Sequence, residues 1–215
     1  MEKNNNSPII TVVVAAVVII GFAYFISTGS TKNPAEDPDQ LSAMNNHHGG
    51  SVAVPNIEVL NSLVGEMMPD IELTDKDGNK FTSADFKGKN TVLFFNEGLM
   101  CYPACWNQIS AFGSDTRFNK DDIQAISVVV DSAKDWQTAI KEMPQLAKAK
   151  TMFDTGASAS RKLGMLLTAS SMHRGQLPGH TYILIGKDGK VSYVLDDPNM
   201  AIANDLLYSK IKELK

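Results

Sequence analysis

The chain has 215 residues, 43% hydrophobic and 20% charged, which fits one ordinary globular domain with something added. Twenty basic against 24 acidic side chains leave a net charge of −4, so charge gives no footing for nucleic-acid binding. Two cysteines are too few for a disulfide-stapled scaffold and the right number for one redox pair.

Residues 9–26 (IITVVVAAVVIIGFAYFI) form an apolar run whose polar groups are the hydroxyls of Thr11 and Tyr24. As a helix it would be about 27 Å long, close to the hydrocarbon thickness of a bilayer. It has no polar face and stands at the end of the chain, which argues against a buried core helix. The run predicts a single-pass transmembrane anchor, with residues 1–8 inside and the rest of the chain on the extracytoplasmic side. The start MEKNNNSP carries only Lys3 and the terminal amine against Glu2, a weak signal-peptide opening. The small residues of Ile26-Ser27-Thr28-Gly29-Ser30 keep the cleavage alternative open. Residues 27–56 read as a flexible linker rich in small, polar, Pro and Gly residues; His47 and His48 there read as solvated rather than metal-bound.

Residues 57–215 remain for one domain, long enough to bury a substantial core. A short alternating strand at Ile71–Thr74 leads through the turn Asp75-Lys76-Asp77-Gly78 to a second around Lys80–Thr82. The apolar runs at 91–96 (TVLFFN) and 123–131 (IQAISVVVD) suit strands buried on both faces. A helix is expected from Pro103 to about Phe112. Another is capped by Ser132, with Asp135 three residues on, and stops near Pro144. Helical signal returns at Ala157–Leu166, a hairpin at Tyr182–Ile185 and Val191–Val194 turns at Lys187-Asp188-Gly189-Lys190, and an amphipathic helix closes the chain at Ala201–Leu214. The order predicts an α/β fold, a central mixed sheet flanked by helices.

The chemistry converges on Asn96-Glu97-Gly98-Leu99-Met100-Cys101-Tyr102-Pro103-Ala104-Cys105-Trp106-Asn107-Gln108. This segment follows a buried strand and opens a helix, where free backbone N–H groups and the helix dipole favour a thiolate. Pro103 suits an early helical position that needs no N–H of its own. If both cysteines are helical, C-x-x-x-C puts Cys101 and Cys105 on one face, their Cα atoms about 6 Å apart, within disulfide range. Small buried hydrophobes are the alternative reading.

The stretch VGEMMPDIELTDKDGNKFTSADFKGKNTVLFFNEGLMCYPACWNQ (64–108) resembles the opening of peroxiredoxins of the alkyl hydroperoxide reductase and thiol-specific antioxidant group, and of their thioredoxin-fold relatives. The stretch LPGHTYILIGKDGKV (177–191) resembles that family's late hairpin. The resemblance implies a thioredoxin-like fold from residue 57 onward, no cofactor, and a reducing thioredoxin-like partner. It implies a peroxide as substrate, with Cys105 peroxidatic and Cys101 resolving. The family's Pro-x-x-x-Thr-x-x-Cys motif then places Tyr102 at the threonine and Cys101 at the proline. Gly179 falls near the peroxide-polarising arginine, for which Arg161 and Arg174 are the candidates.

Similarity to membrane-tethered thioredoxin-like oxidoreductases implies instead that a disulfide-bearing protein is the substrate. Cys101 then attacks, Cys105 resolves, and a cis-proline lies near Pro178. Similarity to Sco-type copper chaperones implies Cu(I) held by Cys101, Cys105 and His180, with His173 as a second candidate; the alternative makes either histidine a hydrogen-bonded loop residue and Met100 and Met172 core. Trp106 and Trp136 are expected to pack on the sheet, with a substrate role for Trp106 as the alternative. Glu97 is expected either to relay a proton to a thiol or to lie exposed.

Overall fold

The computed structural model describes residues 54–214. Helix α1 (Glu58–Asn61) precedes two short strands, β1 (Glu72–Thr74) and β2 (Lys80–Thr82), which pair across the Asp75–Gly78 turn as expected. Strand β3 (Asn90–Asn96) leads to helix α2 (Ala104–Ser114), strand β4 (Ile123–Val129) to helix α3 (Ala133–Glu142). Ser132 caps α3 by accepting the Asp135 N–H at 3.1 Å. Strand β5 (Thr151–Phe153), not foreseen from sequence, follows; at three residues it is too short to leave a periodic trace. Helix α4 (Ser158–Lys162) is shorter than the expected 157–166 because Gly164, at φ 74°, turns the chain into a 3-10 segment. Strands β6 (Thr181–Ile185) and β7 (Val191–Asp196) make the expected hairpin, and helix α5 (Asn204–Glu213) starts three residues later than its apolar pattern suggested.

The sheet order is β2-β1-β5-β4-β3-β6-β7. Strands β3, β4 and β5 run parallel, while β6, β7, β1 and β2 join antiparallel, so the sheet is mixed as expected. Alternation sorts the residues of β3 and β6 between two cores. Val92 and Phe94 of β3, with Tyr182 and Leu184 of β6, face the layer that contains α2, α3 and α5. Leu93 and Phe95, with Ile183 and Ile185, face the other, beneath α1 and α4.

The anchor expected at 9–26 and the linker up to residue 53, with His47 and His48, lie outside the described residues. Among the described residues no helix is long and apolar enough to cross a membrane.

Candidate redox site

Strand β3 delivers the chain to the site and stops there. The buried Asn96 amide donates to the carbonyls of Phe94 and Val128, at 3.3 and 3.2 Å, and its Oδ1 accepts the Gly98 N–H at 2.9 Å. This bends the backbone into a 3-10 turn, Gly98–Cys101. The Leu99 N–H donates to the Asp131 carboxylate at 2.9 Å, and burial raises the pKa of that carboxyl. Gly98 has φ 63°, and a methyl group on it would overlap the same carboxylate, so the turn requires glycine. The Trp106 indole N–H donates to the Gly98 carbonyl at 3.1 Å and locks the turn to α2.

Cys101 ends this turn and Cys105 is the second residue of α2. The condition for a shared helix face, that both cysteines be helical, is not met. Tyr102 is extended, at φ −79° and ψ 139°, because a residue before proline is kept out of the helical region, so the helix begins only after Pro103. The two cysteines nonetheless form a disulfide, with Cα atoms 5.4 Å apart and both side chains buried.

His180 comes to Cys105 from the sheet. It is buried one residue before β6, and its Nδ1 stands 3.5 Å from the Cys105 sulfur. Its Nε2 lies 2.7 Å from the Tyr182 hydroxyl, which is 3.0 Å from Oε1 of Gln108. Two periodicities build this arrangement. His180 and Tyr182 are two apart along extended backbone and share a face; Cys105 and Gln108 are three apart on a helix and share a face. Laid together, they give two rungs, Cys105 on His180 and Gln108 on Tyr182. Phe94 supports both rings, stacked on Tyr182 at 4.7 Å and edge-on to His180 at 4.6 Å. Burial pushes the His180 pKa down to about 4, against the opposing pull of Asp197, the Ala201 carbonyl and Asp196, so the ring is neutral near pH 7. Burial likewise pushes the Tyr182 phenol up.

The remaining expected residues take other places. Glu97 is buried, not exposed, and its carboxylate accepts the N–H groups of Met172 at 2.7 Å and His173 at 3.1 Å. It also pairs with the His173 ring at 2.8 Å, so both its oxygens are committed to the 171–173 segment rather than to a thiol. His173 is thereby held away from the sulfurs. Among the described residues, the cluster able to hold a metal is Cys101, Cys105 and His180, with ligand atoms within 4.8 Å of one another. Met100 and Met172, expected in the core, are 60% and 55% exposed, and Tyr102 is 64% exposed. Met100 and Tyr102 flank Cys101 in the chain. Trp106 is buried between Tyr102 and Trp136, with ring centroids 4.9 and 6.0 Å away, which fits packing.

Pro178 is buried but not cis; among the described residues the cis peptide is Tyr102–Pro103. His180, rather than a proline, faces the sulfur. Gly179 packs so closely on Ser170 and Ser171 that a Cβ would collide with both, which leaves no room for an arginine. Arg174 turns toward the carbonyls of Thr168 and Ala169.

The profile of the AhpC/TSA family matches residues 64–194. The chain belongs to the AhpC/TSA family. Its AhpC/TSA domain is 27% identical over 134 residues to the 1-Cys peroxiredoxin PER1 of Triticum aestivum, covering 60% of this chain and 61% of that protein. It is also 27% identical over 134 residues to the chloroplastic peroxiredoxin Q of the same plant, covering 62% and 58%. The chain thus spans about three fifths of the length of these relatives. The fold is similar to that of a peroxiredoxin-like protein from Aquifex aeolicus, with TM-score 0.57 and 21% identity over 71% of this chain and 87% of that one.

Sequence reading missed Tyr182, Gln108 and Asp131 within this AhpC/TSA domain and Asn204 beyond its matched residues. Each looks like an ordinary strand, helix or loop residue until the helix is laid across the sheet. The one signal available was polarity on an apolar face: Gln108 three residues after Cys105, and His180 two before Tyr182.

Proposed function

We propose that the domain is a thiol-dependent oxidoreductase that cycles Cys101 and Cys105 between dithiol and disulfide. The observation that carries this reading is the buried pair itself, joined as a disulfide, with one sulfur beside a neutral imidazole. Family membership and the peroxiredoxin relatives support thiol redox chemistry. In the reducing direction Cys101 attacks an oxidised substrate, and the Cys105 sulfur then displaces the bound group to close the disulfide. A disulfide-bearing protein suits the site better than a peroxide. The threonine and the arginine that the family resemblance requires are replaced by the exposed Tyr102, whose hydroxyl sits at the end of a ring, and by Gly179, which has no space for a side chain. A thioredoxin-like dithiol protein is the proposed reductant.

The apolar run at 9–26 supports an anchor that holds the domain on the extracytoplasmic side, where a disulfide persists. Alkaline carbonate extraction of membranes, with protease shaving from either side, tests this; release of the intact chain into the soluble fraction would overturn it.

A second reading has one observation in its favour. After reduction, Cys101, Cys105 and His180 would offer two thiolates and one imidazole, a soft set suited to Cu(I).

One comparison separates the readings. The full-length chain is reduced, its oxidation rates by hydrogen peroxide and by a peptide disulfide are measured, and it is titrated with Cu(I). The expected result is faster oxidation by the disulfide, with Cys105→Ser trapping a mixed disulfide at Cys101. Faster oxidation by peroxide would move the substrate to peroxides. No turnover on either oxidant, with tight copper binding that needs both cysteines, would replace the enzyme reading.

A further inference from the structure

The polar chain behind Cys105 has a direction, and that direction can be worked out from groups that can only donate or only accept. The Ala203 backbone N–H can only donate, and it lies 2.8 Å from Oε1 of Gln108. The other end of the same amide is fixed independently. Gln108 Nε2 donates to Asn204 Oδ1 at 2.8 Å, while Asn204 Nδ2 donates to the Asp115 carboxylate at 3.0 Å and the Ala111 carbonyl at 3.3 Å. A carbonyl accepts only, and the Asp115 carboxyl is held ionised by Arg117, so Asn204 cannot be turned around, and neither can Gln108. Oε1 therefore faces Tyr182 as an acceptor. The single phenolic hydrogen goes to Gln108, and the Tyr182 oxygen accepts from His180. The Tyr182 bond thus draws the ring hydrogen to Nε2 and leaves Nδ1, 3.5 Å from the Cys105 sulfur, as the acceptor; the Ala201 carbonyl is a further acceptor beside the ring.

We infer that Gln108 and Tyr182 are positioning residues that fix the His180 ring with its hydrogen on Nε2, so that Nδ1 takes the Cys105 proton as the disulfide closes. The inference rests on the dithiol–disulfide reading above and adds to it a base and the groups that set the base's tautomer. In the closing step Cys101 carries a mixed disulfide with a partner thiol. The Cys105 S–H bond breaks, its hydrogen passes to Nδ1, and the sulfur's electron pair forms the new bond to Cys101. The partner departs as a thiolate, which takes up the proton from the imidazolium or from water. The two protein thiols are oxidised and the partner disulfide is reduced. A ring with the opposite tautomer would present N–H to the sulfur and could accept nothing.

The full-length chain carrying 15N-histidine tests this in the oxidised state. The chain has four histidines, and a His180→Asn sample assigns the signal. The expected spectrum shows a protonated, pyrrole-type Nε2 and a bare, pyridine-type Nδ1. In Gln108→Leu the Tyr182 hydroxyl loses its acceptor and is free to donate to Nε2, which should reverse the pattern. In Tyr182→Phe the preference for either tautomer should collapse. The second readout is the rate of intramolecular closure after Cys101 has reacted with a small aromatic disulfide, followed by release of the second aromatic thiol. Gln108→Leu, with its ring hydrogen moved to Nδ1, should close at least about tenfold more slowly, as expected for loss of a general base, and Tyr182→Phe, with both tautomers populated, about twofold more slowly, while the first addition keeps its rate in both. Protonated Nδ1 in the unaltered chain, or unchanged tautomer and closure rate in both variants, would overturn the inference. Tyr182→Phe keeps the ring packed on Phe94, so it decides the question should Gln108→Leu not fold. The tautomer is read whether or not the cysteines turn over, so a chain with the expected spectrum but no closure would instead sink the redox reading.

Discussion

The two faces of the sheet are built from alternate residues of the same strands, yet they do different work. Beneath α1 and α4 the layer is aliphatic with phenylalanine: Leu93, Phe95, Ile126, Val128, Ile183 and Ile185 pack with Leu60 and Leu163. Beneath α2 the layer is aromatic and threaded with polar groups, from Cys105 through His180, Tyr182 and Gln108 to Asn204. The aliphatic face holds the strands with non-directional burial. The aromatic face uses directional bonds, each of which constrains its neighbour, and so it can orient a ring beside a sulfur. A hydroxyl, an amide and an imidazole are tolerated there because each has a partner.

If this division is real, substitutions on the two faces should separate stability from chemistry. The largest effect is expected from Cys101→Ser or Cys105→Ser, either of which should abolish disulfide cycling. Loss of the short cross-link should cost only about 2 kcal/mol in a denaturant titration of the oxidised chain. Equal stability loss with cycling retained would break the assignment. Next comes Leu93→Ala on the aliphatic face, expected to cost about 2–5 kcal/mol while leaving the closure rate of the folded protein unchanged. A slowed closure would show that the faces are not independent.

Gly98→Ala probes the edge where turn and sheet meet. It forces a positive φ on alanine and displaces Asp131, and calorimetry should register a loss of about 1–3 kcal/mol. The smallest effect concerns the far end of the polar chain. Arg117 holds the Asp115 pKa down at about 2, below its unfolded value, so the stabilisation is present above about pH 4 and disappears as pH falls through about 2. Asp115→Asn should therefore be less stable than the parent by about 1 kcal/mol at pH 6, with the gap closing toward pH 2 in urea titrations. A gap that stays constant with pH would mean that packing, not charge, ties α5 to α2.

Much of this fold was legible in advance because its strongest signals are local. The runs at 91–96 and 123–131 had to form buried strands, the second ending at Val129 two residues short of its apolar run, Ser132 had to cap, and the Gly-Lys hairpin had to turn where it does. Strand β5 escaped because three residues carry too little period. The start of α2 shifted because Pro103 restrains Tyr102 more than it seeds a helix. Cys101 and Cys105 stood out by scarcity and spacing, and His180 by its place before the hairpin. Glu97 was left between two roles, since burial and the 171–173 partners that claim it are set 74 to 76 residues away along the chain.

The sequence by itself determined the α/β order and the face that each strand residue takes, because periodicity acts within a few residues. Only the tertiary structure decided what stands next to the sulfur. Cys105 meets His180 across 75 positions, and Gln108 is oriented by the backbone N–H of Ala203, 95 positions on. No local rule relates such groups; they meet because α2 lies across β6, and the direction of each hydrogen bond follows from that contact.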